Sequence, residues 1–400
     1  MTVAKVGDIC RQVRGVSYKK ADASHSPRDG YSPILRANNI SDGRIVPDEL
    51  VYVPDTKISD TQRLRPNDVL IATSSGSISV VGKAAQSRNG WEGAFGAFCK
   101  VLRPSEDVDP IYFGHFFRTP AYRRIVSSLA AGANINNLKN EHLDGLEIPL
   151  PPLEQQKRIA RILDEADALR AKRRESIEQL DALVQSIFLD MFGDPEGRGW
   201  PVGTVEDVAS SEKGAIRTGP FGSQLLHSEF VEEGIPVLGI DNVVQNEFRD
   251  GEPRFITEEK YESLSRYTVK PFDVLITIMG TCGRCAIVPE GIGVAINTKH
   301  LCCITLDRAL CHPKYLHAYF LRHPMARDYL ERNAKGAIMS GLNMGIIKRL
   351  PIPVPPLDAQ EAFAQRSDAI ESQKSQMRAH LAELDSLFAS LQQRAFQGGL

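Results

Sequence analysis

The 400-residue sequence lacks both an excess of charge and a long apolar run. Its 48 Lys and Arg nearly balance its 50 Asp and Glu, so the formal net charge is −2. A chain of this balance can bind nucleic acid only if its basic groups are sorted onto one face. No apolar run approaches the ~18 residues that span a membrane, and the N-terminus lacks the apolar core of a signal peptide. We therefore expect a cytoplasmic protein of two or three domains with no membrane partner.

The sequence also lacks the cysteine pattern of a disulfide framework, because it has seven cysteines, an odd number. Cys282 and Cys285 could be interpreted as zinc ligands together with Cys302 and Cys303. The second pair is adjacent rather than spaced as Cys-x-x-Cys, and the first half of the chain has no counterpart. We predict buried free thiols on strands and no metal site.

No catalytic motif is present. Residues 76–84 (GSISVVGKA) resemble a phosphate-binding loop, but they have one residue too many between the glycines. They also end in alanine where a serine or threonine must reach magnesium. The sequence contains no HExxH, no nucleophile elbow and no methyltransferase tetrapeptide of the NPPY type. We predict that this chain has no catalytic residues and binds no cofactor itself.

What the sequence does contain is a long internal repeat. Residues 148–193 begin IPLPPLEQQKRIARILDEADAL, and the segment from residue 352 begins IPVPPLDAQEAFAQRSDAIESQ, at an offset of 204 residues without a gap. Identical residues are spread over the whole segment. They are Pro149 and Pro353, Gln156 and Gln360, Leu180-Asp181 and Leu384-Asp385, and Phe192 and Phe396.

Each copy predicts an extended proline-rich stretch followed by a long helix. Apolar residues recur every seven positions, which predicts two helices packed along each other. These residues are Ile159, Ala166, Leu180 and Ile187 in the first copy, and Phe363, Ile370, Met377, Leu384 and Leu391 in the second. We place Leu169 and Leu183 at the intermediate positions, and we expect a loose or water-filled middle because Arg173 interrupts the pattern. About 40 residues would form a rod of roughly 60 Å. Two unrelated amphipathic helices are the alternative.

The residues before each helical segment also repeat one plan. Residues 65–71 (RPNDVLI) match residues 270–276 (KPFDVLI), and turn residues between short apolar runs predict small β-structure. Residues 217–224 (RTGPFGSQ) and 297–300 (NTKH) have no clear partner in the first half. The two units are either paralogous domains without a shared task or one duplicated scaffold whose variable surfaces recognise two different things.

Together these features resemble the DNA-specificity subunit of type I restriction–modification systems, over essentially the whole chain. The first PLPPL helix is similar to that family's central helical region, and MFGDP at 191–195 to the junction that opens its second recognition domain. RTGPFGSQL and NTKH are typical of its target-recognition domains. The resemblance implies an α+β fold with two globular mixed α/β target-recognition domains, residues 1–147 and 194–351. Helical regions 148–193 and 352–400 would separate them as an antiparallel coiled coil with a pseudo-twofold repeat.

The resemblance further implies a non-catalytic subunit that recognises an asymmetric bipartite DNA target. Each domain would recognise one half-site, and the helix pair would fix the spacer between them. Adenine methylation and ATP-dependent cleavage would belong to partner subunits. The implied partners are double-stranded DNA, two copies of the methylation subunit, and restriction (translocase) subunits, with S-adenosylmethionine, ATP and magnesium bound by the partners. The outer helix faces, with Lys157, Arg158, Arg161 and Arg170, are the expected docking surface.

Base recognition favours Arg for guanine and Asn or Gln for adenine, whereas Lys, Arg, Ser and Thr suit phosphates. In the first domain this predicts DNA-binding residues Ser74, Ser75, Lys83, Arg88, Asn134, Asn136 and Asn137. In the second it predicts Arg217, Thr218, Gln224, Thr281, Arg284, Asn297, Lys299, His300, Lys335 and Ser340. A solvated loop or a local turn bond accounts equally well for any one of them, and Asn137 could simply cap a helix.

Three other functions fit the same sequence. The chain could be a coiled-coil scaffold with no DNA role, a nuclease or methyltransferase with an unrecognised site, or the targeting subunit of another phage-defence complex.

Overall fold

The computed structural model describes residues 2–131, 137–334 and 342–400. The helices, in chain order, are α1 (Val6–Ile9), α2 (Pro110–Phe116), α3 (Pro120–Ala131), α4 (Asn140–Asp144), α5 (Leu153–Phe192), α6 (Glu258–Leu264), α7 (Pro313–Arg322), α8 (Pro324–Ala334), α9 (Met344–Lys348) and α10 (Leu357–Gln397). The chain divides into two compact units: unit 1 is Met1–Arg174 with Arg378–Leu400, and unit 2 is Glu175–Met377. Each unit therefore contains part of both long helices. The assignment of residues 1–147 and 194–351 as recognition domains stays a prediction.

The strands are short. Those of unit 1 are β1 (Val3–Lys5), β2 (Cys10–Arg14), β3 (Tyr31–Leu35), β4 (Ile40–Ser41), β5 (Arg44–Ile45), β6 (Val51–Pro54), β7 (Asp68–Ala72), β8 (Ala84–Ser87), β9 (Ala94–Phe95), β10 (Cys99–Pro104) and β11 (Glu147–Pro149). Those of unit 2 are β12 (Val202–Thr204), β13 (Ile216–Thr218), β14 (Ile235–Leu238), β15 (Val243–Val244), β16 (Glu247–Phe248), β17 (Phe255–Ile256), β18 (Thr268–Val269), β19 (Val274–Thr277), β20 (Cys285–Ile287), β21 (Ala295–Asn297), β22 (Leu301–Ile304) and β23 (Pro351–Pro353).

Unit 1 is built on a four-stranded sheet of order β2-β10-β7-β8 and a three-stranded sheet of order β6-β3-β9. Every residue of β7 is buried because both faces of its sheet are covered. Val69 and Ile71 pack with helices α2 and α5, whereas Leu70 and Ala72 face the opposite core, as the two-residue period of a strand requires. The predicted buried strand in RPNDVLI is confirmed, but the next strand begins at Ala84 rather than at Val80.

Unit 2 repeats this plan in sheets of order β13-β22-β19-β20 and β17-β14-β21-β18. The register is the same as in unit 1. Cys99 pairs with Ala72 and Val101 with Val13, just as Leu301 pairs with Thr277 and Cys303 with Arg217.

We expected no clear counterparts for residues 217–224 and 297–300, but this register supplies them for residues 217–219 and 297–300. It places Arg217 at the position of Val13, and the parallel pairs β3–β9 and β14–β21 place Asn297 at the position of Phe95. Gly15 and Gly219 are equivalent in the same way. A Cβ atom at Gly15 would collide with the Gly96 carbonyl oxygen, and one at Gly219 with the Asn297 carbonyl oxygen. The counterparts share backbone positions without sharing side chains.

A buried aspartate occupies the start of the central strand in each unit, and an arginine from a different strand pairs with it. Asp68 accepts from Nε and Nη2 of Arg103 on β10 at 2.8 and 2.7 Å. Asp273 accepts from Nη2 of Arg217 on β13 at 2.7 Å. Thr305 stands where unit 1 has Arg103 and accepts from Nη1 of Arg217 at 2.9 Å. The chain has thus exchanged the strand that supplies the arginine while keeping the ion pair.

The repeated glutamine joins each long helix to its globular unit. Gln156 is 1% exposed, its Oε1 accepts from the N–H of Asp109 at 2.9 Å, and its Nε2 donates to the Pro151 carbonyl at 2.7 Å. Gln360 accepts from the N–H of His312 and donates to the Pro355 carbonyl, each at 2.8 Å. Asp109 and His312 are the residues that cap helices α2 and α7. One side chain therefore connects the proline-rich turn, the long helix and the helix that packs on the sheet.

The long helices pack antiparallel within each unit. In unit 1, Gln155 donates to the Leu400 carbonyl, and Arg170 pairs with Asp385 at 2.6 Å. In unit 2, Asp181 pairs with Lys374 at 2.6 Å. Arg170 and Lys374 are equivalent in the repeat, as are the two aspartates of the Leu-Asp pairs. Arg170 thus lies in the seam rather than on the outer face. The expectation of a loose or water-filled middle stays a prediction.

The intermediate seam positions differ by one residue from those we predicted. Leu169 is 55% exposed and Leu183 is 45% exposed, whereas Leu163 and Val184 are buried. The inward positions are 163, 170, 177, 184 and 191, because the helix alternates steps of four and three residues along a seam. The two leucines therefore lie on the outer face.

The predicted buried thiols on strands are confirmed for three of the four cysteines of unit 2 considered above, but the prediction is wrong for Cys282, which is half-buried in the loop before β20. Cys285, Cys302 and Cys303 lie on β20 and β22 and are buried, and burial raises the pKa of Cys302 to about 12. Within residues 2–131, 137–334 and 342–400, no three His, Cys, Asp or Glu side chains form a group that could hold a metal ion. No helix in these ranges has the length and apolarity needed to cross a membrane.

Replacing Gln156 by leucine should destabilise unit 1 by about 3 kcal/mol, because each buried backbone group left unsatisfied costs about 1–3 kcal/mol. The chain has two tryptophans, Trp91 in unit 1 and Trp200 in unit 2, so urea unfolding of a Trp200→Phe background reports on unit 1 through Trp91 fluorescence. Arg161→Leu, at an exposed position on the same helix, is the control. Equal midpoints for the two variants would contradict the role assigned to Gln156.

Breaking the Asp68–Arg103 pair with Arg103→Thr should cost about 3–5 kcal/mol, as expected when a buried carboxylate loses its partner. Adding Val13→Arg copies the arrangement of unit 2 and should restore most of that loss. Trp91-reported urea unfolding of the two single variants and the double variant gives their coupling energy. A double variant as unstable as Arg103→Thr would show that the two arginine positions are not interchangeable.

Candidate nucleic-acid interface

An open cleft of about 1180 Å³ lies in unit 1 along the edge where β2, β7 and β10 end. We call it the edge cleft. The N–H groups of Thr73 and Ser74 both donate to the Phe98 carbonyl, at 2.9 and 3.1 Å, and Asn137 bridges to Ser74. The structure thus brings the predicted residues Ser74, Ser75 and Asn137 together on one wall. Asn134 and Asn136 lie outside the described residues.

Basic side chains outnumber acidic ones around the edge cleft. Its lining contains four cations and one carboxylate, which are Arg14, Arg36, Lys100, Lys139 and Glu141. Burial lowers the pKa of Lys100, although the Asp144 and Glu141 carboxylates oppose the shift. Such an excess of positive charge in a protein of net charge −2 attracts an anionic ligand.

The edge cleft also offers hydrogen-bonding groups and an aromatic surface. The Oε1 of Gln12 and the Nε of Arg36 are buried, and neither has a partner among the described residues. The Phe98 side chain is 70% exposed at the mouth. Amide and guanidinium groups match base edges, and an exposed ring can stack on a base. The edge cleft therefore combines the groups that phosphate contacts and base contacts require.

Lys83 and Arg88 do not line the edge cleft. Lys83 is exposed at the start of β8, on the side of the long helices. Both terminal nitrogens of Arg88 pair with Asp164 on α5, at 2.8 and 2.6 Å, and His115 bonds the same carboxylate at 2.7 Å. Burial favours the protonated acid, but the bonds from His115 and Arg88 outweigh it and hold the pKa of Asp164 below its usual range. Arg88 thus fastens the sheet to the helix.

The same edge of unit 2 carries three predicted residues. The N–H of Ile278 donates to the His300 carbonyl at 2.9 Å, as Thr73 does to Phe98, so His300 and Lys299 occupy the positions of Phe98 and Ala97. Thr218 occupies the position of Arg14. Burial and the charges of Lys299 and Arg254 lower the pKa of His300. A neutral imidazole here can both donate and accept a hydrogen bond.

Arg217 and Asn297 are buried parts of the unit 2 framework. Arg217 is 9% exposed and is held by Asp273, and Asn297 is fully buried, with Nδ2 donating to the Leu301 carbonyl at 3.0 Å. A DNA base cannot reach either side chain without displacing these bonds. We therefore assign both a structural role and leave them out of the proposed interface.

The remaining predicted residues of unit 2 are spread over its loops. Gln224 is exposed, and its Oε1 accepts from the Tyr267 hydroxyl at 2.9 Å. Thr281 is exposed and Arg284 is half-buried. Arg284 is the equivalent of Lys83, because its carbonyl accepts from the N–H of Thr277 as the Lys83 carbonyl accepts from the N–H of Ala72. Lys335 and Ser340 lie outside the described residues.

Sequence reasoning missed Gln12, Arg14, Arg36, Lys100 and Phe98, all of which line the edge cleft. The predicted residues were chosen from polar loops, whereas Gln12, Arg14 and Lys100 lie on strands. The polar residues Gln12 and Arg14 flank the buried Val13 on β2. That two-residue alternation was the available signal.

The two units also differ at equivalent edge positions. Arg14 is replaced by Thr218, and Phe98 by His300. The loop between β7 and Gly82 spans residues 73–81 in unit 1, whereas the loop between β19 and Gly283 spans only residues 278–282 in unit 2. One framework thus presents two different sets of donors, acceptors and charges.

Known proteins share this fold and sequence pattern. The sequence profile of the type I restriction modification DNA specificity domain matches residues 1–179 and 198–384. The chain is 30% identical to the Type I restriction enzyme EcoKI specificity subunit of Escherichia coli K12, covering all of this chain and 89% of that protein. It is 31% identical to the StySPI specificity subunit of Salmonella potsdam, covering 99% and 88%.

Solved structures support the same fold. The S subunit of a type I restriction–modification system from M. genitalium superposes with a TM-score of 0.55 at 15% identity, covering 99% of this chain and 96% of that one. A chain solved in a study of complex assembly and conformational transition of the type I restriction–modification system gives a TM-score of 0.57 at 18% identity, covering 100% and 98%. The repeat, the paired sheets and these matches together show that this chain belongs to the type I restriction–modification DNA specificity family.

Proposed function

We propose that this chain is a specificity subunit that recognises an asymmetric bipartite site in double-stranded DNA, one half-site for each unit. The observation that carries the proposal is the repeated framework with different chemistry at equivalent edge positions. Identical edges would favour two identical half-sites. Arg14 and Phe98 in unit 1, against Thr218 and His300 in unit 2, predict two different ones.

Within unit 1, we assign phosphate contacts to the cations around the edge cleft and base contacts to the groups with unused hydrogen-bonding capacity. Arg14 is exposed and Lys100 is half-buried, so both can face the backbone. Asn137 is exposed and can donate to and accept from a base edge, as adenine recognition requires. Gln12 offers only its Oε1 as an acceptor, because its Nε2 already donates to the Asn140 carbonyl and to Asp144. Ser74 and Ser75 suit either role. In unit 2, Lys299, His300 and Thr218 are the corresponding candidates.

We further propose that methylation and cleavage are carried out by partner subunits. The relatives are named as specificity subunits of type I restriction enzymes, and this chain shows no catalytic motif. Two copies of a methylation subunit are expected because the repeat supplies two similar faces, with restriction subunits as further partners. S-adenosylmethionine, ATP and magnesium would bind those partners. The outer helix face would offer Lys157, Arg158 and Arg161, with Leu169 and Leu183 adding apolar surface.

Co-expression of this chain with its methylation subunit in a methylation-free host should place N6-methyladenine in one asymmetric bipartite motif, as measured by sequencing that detects the modified base. Asn137→Ala and His300→Ala should relax different half-sites, because each lost contact to a base edge removes about 1–3 kcal/mol of discrimination. Arg124→Ala, an exposed arginine that does not line the edge cleft, is the control and should leave the motif unchanged.

A palindromic motif, or relaxation of the same half-site by both variants, would contradict one half-site per unit. A stable complex with the methylation subunit and no methylated motif would favour the scaffold alternative.

Lengthening both long helices by one heptad should lengthen the unspecified spacer without changing the half-sites. Insertions after Ile177 and after Met377 leave the Arg170–Asp385 and Asp181–Lys374 pairs intact. Seven residues add about 10 Å of helix, which corresponds to about three base pairs of DNA. The methylated motif gives the spacer directly. Insertion into one helix alone should abolish methylation, and an unchanged spacer after both insertions would show that the helices do not set it.

A further inference from the structure

A second cleft of unit 1, of about 460 Å³, lies where the β4–β5 hairpin and helix α3 meet the two long helices. We call it the basic cleft. Six cations line it, with two carboxylates. The cations are Arg44, Lys83, Arg118, Arg123, Arg170 and Arg174. It is separate from the edge cleft, with which it shares no lining residue.

Three of these cations form no ion pair among the described residues, although the Asp42 carboxylate also lines the cleft. Asp385 pairs with Arg170 and Arg174, and Arg118 pairs with Asp167 at 2.9 Å. The others, Arg44, Lys83 and Arg123, have no carboxylate partner in the part of the chain that the structure describes. Arg123 is oriented by bonds from Nη1 to the Val81 carbonyl and from Nη2 to the Ser79 carbonyl, at 2.8 and 3.3 Å. These bonds leave further N–H groups of the guanidinium for a ligand.

A buried donor at the wall of the basic cleft lacks an acceptor. Gln392 on α10 is 3% exposed, and its Nε2 has no hydrogen-bond partner among the described residues. An unsatisfied buried donor is unfavourable by about 1–3 kcal/mol, so an acceptor from a ligand would be stabilising here. This observation is independent of the surface charge.

The repeat separates the groups of the basic cleft that unit 2 also has from those that it lacks. In the two equivalent hairpins, Arg44 lies opposite Ser41 on the neighbouring strand and Glu247 lies opposite Val244. Glu247 is therefore the equivalent of Arg44, so unit 2 has the opposite charge at this position. At the helix offset of 204 residues, Gln392 is matched by Phe188, which is fully buried in the core of unit 2. Arg44 and Gln392 are therefore specific to unit 1, whereas Lys83 and Arg170 have the cationic equivalents Arg284 and Lys374 in unit 2.

We propose that the basic cleft binds a phosphate-bearing anion through Arg44, Lys83, Arg123 and Gln392. A phosphate group supplies several acceptor oxygens and the negative charge that these donors lack. The cleft volume falls in the range of small-ligand sites. The phosphate could come from a free pyrophosphate or nucleotide, or from the backbone of bound DNA. The site does not depend on the proposed base recognition, because free phosphates can be tested without DNA.

Titration calorimetry of the full-length chain with inorganic pyrophosphate, and separately with ATP, tests the site. We expect saturable binding of one anion per chain, weakening as salt is raised. Arg44→Glu and Gln392→Phe copy the residues of unit 2 and should each weaken binding at least tenfold. Arg124→Glu changes the charge by the same amount on an exposed side chain outside the cleft and should stay within twofold of the unmodified chain.

A second measurement separates the two sources of phosphate. If the backbone of DNA is the ligand, Arg44→Glu should lower the slope of log affinity against log salt for duplex DNA by about 1, and pyrophosphate should compete with DNA. If a free anion is the ligand, Arg44→Glu should bind pyrophosphate or ATP more weakly. Its slope of log DNA affinity against log salt should then equal the slope measured for Arg124→Glu.

No saturable binding of pyrophosphate or ATP, together with an unchanged DNA salt slope, would overturn the proposal. Equal losses in Arg44→Glu and Arg124→Glu would do the same, because they would reflect overall charge alone. Arg44 is exposed, so its variant keeps the test valid even if Gln392→Phe perturbs folding.

Discussion

The buried glutamine at the base of each long helix is the constraint on which the rest of the structure depends. Its amide accepts from the backbone N–H of the residue that caps a helix packed on the sheet, and it donates to a proline carbonyl before the long helix. Only a side chain with both an acceptor and a donor can satisfy two buried backbone groups at once. Glutamate would lack the donor at neutral pH, and leucine would lack both. Gln156 and Gln360 thereby fix how each long helix leaves its globular unit.

The charged seam between the long helices has a related consequence. Arg170 with Asp167 and Asp385, and Lys374 with Glu371 and Asp181, form the same arrangement twice. Burial opposes the charge of Lys374, but its two carboxylates raise the pKa above the usual value. Such pairs add little net stability compared with apolar packing, yet a helix slipped by one residue would leave the charges unpaired. The aspartate of each Leu-Asp pair thus helps to fix the register of the two long helices.

The globular units show how a duplicated framework diverges without losing its constraints. The buried aspartate at the start of the central strand stays paired, although its arginine moves from β10 to β13. The glycines that allow two strands to approach closely also stay. At the cleft ends of those strands the side chains differ: Arg14 and Phe98 are replaced by Thr218 and His300 in unit 2. Packing thus conserves the framework while the cleft residues differ, as expected for two domains that recognise different targets.

The sequence alone determined the repeat, the buried central strands, the two long helices and the family, because these depend on local periodicity and on motifs at a fixed offset. It also named Ser74, Ser75 and Asn137 as DNA-binding candidates, but only the structure shows that they line one cleft. Tertiary structure decided which basic residues are available. Arg217 and Arg88 resemble exposed loop cations in sequence, but carboxylates distant in the chain hold them. Arg14 and Lys100 lie on strands yet face the cleft. Non-local pairing decides which residues meet across strands and which side chains of a helix face inward. No single stretch of sequence encodes that pairing.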